Sequence, residues 1–297
     1  MKKFNYILIC LVITSFVMVS CNGLLDADSE RYTFDENYQM SSDHDSLYAM
    51  VGILSQLQKL GDRYVLLGEL RGDLMQTNDE ASLYLKQINE FNISKDNPYT
   101  STKEYYSIIN NCNYTIQYVD TAKVKNAEKP MLRVMAAAKA IRAWTYLQLV
   151  LNYGSAKYID RPILTSTDAE MTYPVYNLSQ LADALIEDLL PFKDVEPLQL
   201  GVFAEYNSNL SMLPIKFLLG DLYLWKGDYE HAANMYYELM YAKSLVIKKD
   251  YMNYWEYSDK FVKTILHIDW KNTFKAGSTE VLAALSSSPD YGSPFTL

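Results

Sequence analysis

The residues able to do chemistry are few, and they form no recognisable catalytic motif. The three histidines, His44, His231 and His267, lie far apart, and none stands in an H-E-x-x-H or C-x-x-C context that would predict a metal site. The sequence also lacks the G-x-S-x-G elbow, the P-loop and the G-x-G-x-x-G dinucleotide motif. We therefore predict no catalytic residue, no metal and no cofactor.

Paired carboxylates are the remaining catalytic possibility, because glycoside hydrolysis needs two of them. Asp73, Asp79 and Glu80 lie close together in the segment 69–80. Such neighbours are common by chance in a chain with 36 acidic residues. We predict that the protein is not an enzyme, and we keep a hydrolase as a distant alternative.

The N-terminal residues are typical of a secretory signal peptide. Met1-Lys2-Lys3 is a short basic start, and residues 7–19 form an apolar run. A transmembrane helix needs about 20 apolar residues, so this run is too short to span a bilayer comfortably.

The signal ends in Met18-Val19-Ser20-Cys21, which resembles a bacterial lipobox with Met18 in place of the usual leucine. We predict that residues 1–20 are a lipoprotein signal peptide and that Cys21 carries lipid such as palmitate. An ordinary signal peptide with an incidental cysteine is the alternative. Cys10 lies inside the signal, so Cys112 has no disulfide partner, and the protein must be stabilised by its core.

The composition favours an acidic folded protein. The chain of 297 residues is 49% hydrophobic and has a formal net charge of −9. Phosphates are repelled by an acidic surface, which argues against nucleic acid and against anionic lipid as partners.

Hydrophobic periodicity predicts a mainly α fold. Apolar residues recur at i, i+3, i+4 and i+7 along several segments, which is the spacing of one helix face. We predict caps at Ser42, at Ser101 with Glu104, and at Asn177 with Gln180, and a stop at Gly154. The predicted core stripes include Leu47, Met50, Val51, Leu54 and Leu57; Tyr105, Ile108, Ile109, Cys112, Ile116 and Val119; Ala140, Ala143, Trp144, Leu147 and Val150; and Leu178, Leu181, Ala182, Leu185 and Leu189.

Residues 214–241 match a tetratricopeptide helix pair with a turn at residues 226–229. Gly220 and Ala232 allow the two helices to approach closely, and Tyr223 and Tyr236 are predicted to fill the space toward the next pair. Lys216 departs from the motif, which often has a bulky apolar residue there. Because one pair cannot bury its own faces, we expect the helices near 131–152 and 178–190 to stack on it.

The two ends of the chain differ from this helical body. Residues 21–40 are polar and acidic, which predicts a flexible tether before a domain at 41–297. Residues 264–270 and 281–285 are predicted to be short extended segments, and the chain ends in a loop-type composition.

Several segments together resemble the SusD/RagB family of nutrient-binding outer-membrane lipoproteins. They are Cys21-Asn22-Gly23-Leu24-Leu25-Asp26, residues 105–114 (YYSIINNCNY), residues 138–154 (AKAIRAWTYLQLVLNYG) and the helix pair at 214–241. The resemblance implies a helical scaffold with tetratricopeptide-like pairs, short β segments and loops. Family members normally continue into a C-terminal half after a segment like residues 278–284, so we expect that half to be lacking here.

The resemblance also implies a function in nutrient uptake, with a role in polysaccharide utilisation. Such a protein would be lipid-anchored at the outer membrane, facing the cell surface, and would bind a glycan or oligosaccharide for a SusC-type TonB-dependent transporter. The family places the stretch after the first helix near its binding face, which makes Arg71, Asp73 and Asn78 candidates for sugar contacts. The aromatic candidates for stacking on sugar rings are Trp255, Trp270 and Tyr291.

Two other functions stay open. One is a tetratricopeptide-type lipoprotein whose ligand is another protein, and the other is a truncated, non-functional SusD-like copy. Trp144 and Trp225 are predicted to be structural, and residues 69–80 could instead be a solvated loop held by an Arg71–Asp73 contact.

Overall fold

The structure is a computed structural model that describes residues 39–72, 75–200, 202–203, 206–207 and 212–242. The chain divides into two compact units, Met1–Gln39 and Met40–Leu297, and every element below belongs to the second. The backbone of Met40, the first residue of this second unit, pairs with that of Val119.

Three helices open this unit: α1 (Asp43–Gln58), α2 (Gly61–Glu69) and α3 (Leu83–Asn89). Ser42 caps α1 in a reciprocal box with Asp45, as the sequence predicted for its start. The predicted stripe was wrong at Val51, whose side chain is 48% exposed, because the buried face of α1 is turned toward Ile53.

Two long helices form the centre of the unit. They are α4 (Lys103–Tyr118), which follows a 3-10 turn at Pro98–Thr100, and α5 (Pro130–Tyr153). The thiol of Cys112 is buried between apolar neighbours, and burial raises its pKa to about 12, so it behaves as a small core residue. Gly154 ends α5 in a left-handed conformation, with φ at 81°, as predicted.

The predicted cap at Ser101 and Glu104 was wrong. Thr102 is the N-cap of α4 and makes no side-chain cap hydrogen bond. Glu104 instead lies 3.5 Å from the guanidinium of Arg63, a partner 41 positions earlier that local spacing could not reveal.

After α5, a short hairpin joins β1 (Ser155–Lys157) to β2 (Val175–Asn177), with α6 (Ser166–Glu170) between them. Asn177 then caps α7 (Leu178–Leu189) in a box with Gln180, as predicted, and a 3-10 turn at Leu190–Phe192 follows. A second pairing, of β3 (Val202–Phe203) with β4 (Tyr206–Asn207), precedes the last helices.

The predicted tetratricopeptide-like pair consists of α8 (Ile215–Lys226) and α9 (Tyr229–Ala242), with Gly227 in a left-handed turn between them. A Cβ on Gly220 would lie 2.4 Å from the ring of Tyr236. Tyr236 thus lies inside this pair, where its hydroxyl donates to Asp221 at 2.5 Å, and not between this pair and the next as predicted.

Lys216, the departure from the motif, forms one ion pair with the residues before α8 and one with α9. Its ammonium lies 2.8 Å from Asp194 and 3.1 Å from Glu238. Trp225, predicted to be structural, is 53% exposed beside the turn.

The helices stack in sequence, α1 on α4, α4 on α5, α5 on α7, α7 on α8 and α8 on α9, around one continuous apolar core. A mainly α fold with tetratricopeptide-like pairs is therefore confirmed, including the stacking of α7 on the last pair. The extended segments predicted at 264–270 and 281–285 lie outside the described residues.

Candidate ligand-binding cavity

Part of the segment predicted for ligand contact, residues 69–80, borders a cavity of about 690 Å³, which we call the acidic cavity. Its wall includes Asp62 and Leu66 of α2, the stretch Met75–Asn78, and Tyr99 of the 3-10 turn. Its volume falls within the roughly 300–1,000 Å³ of small-molecule sites.

A small apolar cluster under the cavity fixes these elements together. Leu66, Leu67, Leu70 and Ile88 are buried in it, and Met75, Leu85 and Tyr99 pack against it. Because α2 and α3 share this cluster, the lining residues from Met75 to Ser82 lie beside a packed apolar floor.

Asn97 holds the turn that carries Tyr99. Its side chain is 1% exposed, donates to Tyr84 O and to Gln87 Oε1 at 3.0 Å each, and accepts from Tyr99 N at 3.0 Å. Asn97 therefore ties the turn to α3.

Arg63 anchors the same turn from α2. Its guanidinium donates to Ser101 O at 2.6 Å and to Pro98 O at 3.0 Å, and it lies 5.7 Å from the ring centroid of Tyr99. This arginine is occupied in positioning the ring and does not line the cavity.

The lining is acidic. Asp62 and Glu80 are its charged residues, and no lysine, arginine or histidine is among the described residues that line it. One carboxylate oxygen of Asp62, Oδ1, is buried without a hydrogen-bond partner in the described part of the chain. Burial raises the pKa of Asp62 above its ordinary value. The pKa of Tyr99 is also raised, mainly by burial and to a smaller extent by the negative charge of Asp62.

The rest of the lining offers neutral polar groups. Gln76, Thr77, Asn78 and Ser82 supply amides and hydroxyls, each of which can donate and accept. Ser82 also caps α3, accepting from Leu85 N at 3.4 Å. Such groups, beside an aromatic ring, can bind the hydroxyls and C–H faces of a sugar without a covalent step.

The described residues among the predicted sugar contacts differ in whether they line the cavity. Asn78 is exposed and lines the cavity. Arg71 does not line it: its guanidinium donates to Leu67 O and to the side chain of Asn152, and so links α2 to the end of α5.

The other predicted site residues lie outside the described part of the chain. They are Asp73, Trp255, Trp270, Tyr291 and the lipidation candidate Cys21. The structure therefore leaves the contact predicted between Arg71 and Asp73 untested.

Sequence reasoning missed Asp62 and Tyr99. Asp62 lies in the first turn of a helix of nine residues, which has no strong apolar stripe that would predict it from sequence. The Asn97-Pro98 step is a turn signal that could have drawn attention to Tyr99.

Two structural features often tied to function are absent from the described residues. In that part of the chain no group of three or more potential metal ligands occurs. No helix there is long and apolar enough to cross a membrane.

No family model matches the chain. A relative called SusD-like protein P2, from Formosa agariphila, is 25% identical over 238 residues, which are 78% of this chain and 45% of that protein. The chain is SusD-like in sequence.

Solved structures agree on the fold. A putative sugar binding protein from Bacteroides vulgatus has a TM-score of 0.52 at 24% identity, covering 66% of this chain and 45% of that one. A SusD superfamily protein from Bacteroides thetaiotaomicron has a TM-score of 0.52 at 16% identity, covering 68% and 48%. At these identities the likeness establishes the SusD-like fold, and the chain spans less than half the length of these relatives.

Proposed function

We propose that this SusD-like chain is a surface-exposed lipoprotein that binds glycans without catalysis and delivers them to a SusC-type TonB-dependent transporter in the outer membrane. The observation that carries the proposal is the acidic cavity, in which amides, hydroxyls and a tyrosine ring line one depression. The sugar-binding description of the Bacteroides vulgatus structure points in the same direction.

Binding would use hydrogen bonds to sugar hydroxyls and stacking on Tyr99. Gln76, Thr77 and Asn78 supply donors and acceptors at the mouth, while Tyr99 is half-buried and fixed by Asn97 and Arg63. A preformed site loses less conformational entropy on binding than a flexible loop would.

The first test is affinity electrophoresis through gels containing neutral polysaccharides. We expect the wild-type protein to be retarded by at least one of them, and Asn78→Ala to be retarded less. Asn92→Ala is the matched control, because Asn92 is also exposed and lies outside the cavity lining. Equal retardation of the two variants would reject this cavity as the site, and no retardation by any polysaccharide would reject glycan binding.

The anchor and the partner need separate experiments. Mass spectrometry of the membrane-extracted protein is expected to find an acylated Cys21, and Cys21→Ala is expected to release the protein from the membrane. Affinity purification from solubilised outer membrane is expected to recover a TonB-dependent transporter. A monodisperse protein with no transporter attached would remove the delivery step from the proposal.

A second candidate function is binding to another envelope protein. It is favoured by the exposed apolar residues around the turn of the last helix pair, where Leu224 is 45%, Trp225 53% and Tyr229 70% exposed. Loss of a co-purified protein on Trp225→Ala, with glycan binding unchanged, would support this candidate.

A further inference from the structure

A second cavity of about 550 Å³, which we call the apolar cavity, lies between α4, α5 and the β1–β2 hairpin. Its apolar lining comes from Ile109, Leu149, Ala156, Ile159, Ile163 and Val175. It shares no lining residue with the acidic cavity.

Three polar side chains in its wall are already engaged with the backbone of residues 157–163. The Tyr106 hydroxyl accepts from Lys157 N at 2.9 Å and donates to Lys157 O at 3.3 Å. Asn110 accepts from Ile163 N at 2.7 Å and donates to Ile163 O at 3.2 Å.

Asn113 is used in the same way. Its amide donates to Ile159 O at 2.8 Å and to Arg161 O at 3.0 Å, and its carbonyl oxygen accepts from the buried Arg142 at 2.6 Å. Because these three side chains already make their hydrogen bonds to protein atoms, a ligand in the interior of the cavity would contact mainly apolar groups.

Among the described residues that line the cavity, one side chain is charged, and it is a cation. Lys157 is exposed on β1, and within the described residues its ammonium makes no hydrogen bond or ion pair. Lys157 and Val175 are paired across the hairpin, so both side chains stand on the same sheet face. Thr102, whose hydroxyl makes no cap hydrogen bond, is also in the lining.

We propose that the apolar cavity binds an apolar monocarboxylate, such as a medium-chain fatty acid, with its chain against the Ile109–Leu149 wall and its carboxylate beside Lys157. Charge complementarity supports this ligand, because the described lining contains one lysine and no acid, although the chain as a whole has a net charge of −9. The cavity volume lies in the range of small-molecule sites. This site is separate from the glycan site proposed above.

The test compares two probes that differ in their head group and two proteins that differ in the side chain at residue 157. Binding is measured by isothermal titration calorimetry below the micelle concentration of the probes. The probes are decanoate and decanol, and the proteins are the wild type and Lys157→Gln. We expect Lys157→Gln to weaken decanoate binding about three- to fivefold, as for a partly exposed ion pair, and to leave decanol binding unchanged. From hexanoate to decanoate, affinity is expected to rise about threefold to fourfold per methylene.

Two further variants keep the result interpretable. Lys129→Gln removes a lysine that is also exposed but lies outside the cavity lining, and decanoate binding should stay at the wild-type value. Val175→Trp fills the mouth at a residue that is 58% exposed, so the fold should persist while both probes lose binding.

The proposal is overturned if wild-type protein binds neither probe, if Lys157→Gln affects both probes equally, or if Val175→Trp binds decanoate as well as the wild type does. Failure of glycan binding would not affect any of these readouts, because the two cavities share no lining residue.

Discussion

The acidic cavity and the apolar cavity lie in one folded unit, but their polar side chains are used differently. Around the apolar cavity, Tyr106, Asn110 and Asn113 are engaged by the backbone of the loop they hold. Around the acidic cavity, Asp62 keeps an unpartnered carboxylate oxygen within the described residues, and Gln76, Thr77 and Asn78 line open space. A polar residue type is therefore a poor guide to ligand contact until its hydrogen bonds are known.

The largest effect is expected from Asn113→Ala, which removes the amide that ties the wall of the apolar cavity to α4. It also deprives the buried guanidinium of Arg142 of an acceptor, although Asp188 remains within 2.6 Å. We expect the free energy of unfolding to fall by about 3 kcal/mol, because a charged hydrogen bond and two loop anchors are lost. Urea denaturation measures this change.

The same variant separates the two cavities. Under conditions where Asn113→Ala is folded, decanoate binding should be lost and retardation by neutral polysaccharide kept. Asn111→Ala, on the same helix but outside the lining, is the matched control and should behave as wild type. Loss of both ligands with intact secondary structure would mean that the two sites are not independent.

The converse variant is Asn97→Ala, which removes three hydrogen bonds at the turn carrying Tyr99. Because Asn97 is buried, its loss should lower the free energy of unfolding by about 2 kcal/mol. Polysaccharide retardation should weaken, while calorimetry with decanoate should give the wild-type affinity. Unchanged retardation in this variant would argue against a role for the positioned ring.

A smaller effect concerns the charge in the acidic cavity. Burial raises the pKa of Asp62 in the folded state, so the folded protein binds more protons than the unfolded chain just above the ordinary pKa of an aspartate. The free energy of unfolding therefore falls as pH rises through that interval. Asp62→Asn should therefore be more stable than the wild type at neutral pH, by less than about 1 kcal/mol.

The difference between Asp62→Asn and the wild type should vanish below the ordinary aspartate pKa, where both side chains are neutral. Denaturation curves at several pH values measure it. If the wild type gained stability relative to Asp62→Asn as pH rises, that result would contradict a raised pKa for Asp62.

The smallest effect should be a difference in salt dependence. Decanoate pairs with the exposed Lys157, so its affinity should fall about twofold when ionic strength rises from ~0.02 to ~0.2 M, while a neutral glycan should be unaffected. Titrations at both salt concentrations measure the two affinities. Equal salt dependence for both ligands would remove the electrostatic distinction between the cavities.

Much of the fold could be predicted because it is local. The stripe from Tyr105 to Val119, the stop at Gly154, the turn at residues 226–229 and the cap at Asn177 depend on neighbours a few positions away. The cap at Ser101 failed because its expected partner, Glu104, is paired with a distant arginine. The hairpin of three-residue strands was missed because segments that short carry little periodicity.

The candidate site was less predictable. Asn78 was predicted from the family resemblance, which places the stretch after the first helix near the binding face. It lines the acidic cavity, and its contact with a ligand stays a prediction. Asp62 and Tyr99 lie 37 positions apart, and tertiary structure brings them together through the apolar cluster of Leu66 and Ile88 and the hydrogen bonds of Arg63 to the turn. Arg71 has the chemistry of a sugar contact, but tertiary structure directs it to Leu67 and Asn152.

The most direct test of the central claim is hydrogen–deuterium exchange with and without a neutral oligosaccharide that the protein binds. We predict slower exchange in peptides covering residues 75–82 and 97–101, with no change in residues 155–163. Protection confined to residues 155–163, or binding with no protection in either region, would contradict glycan binding at the acidic cavity.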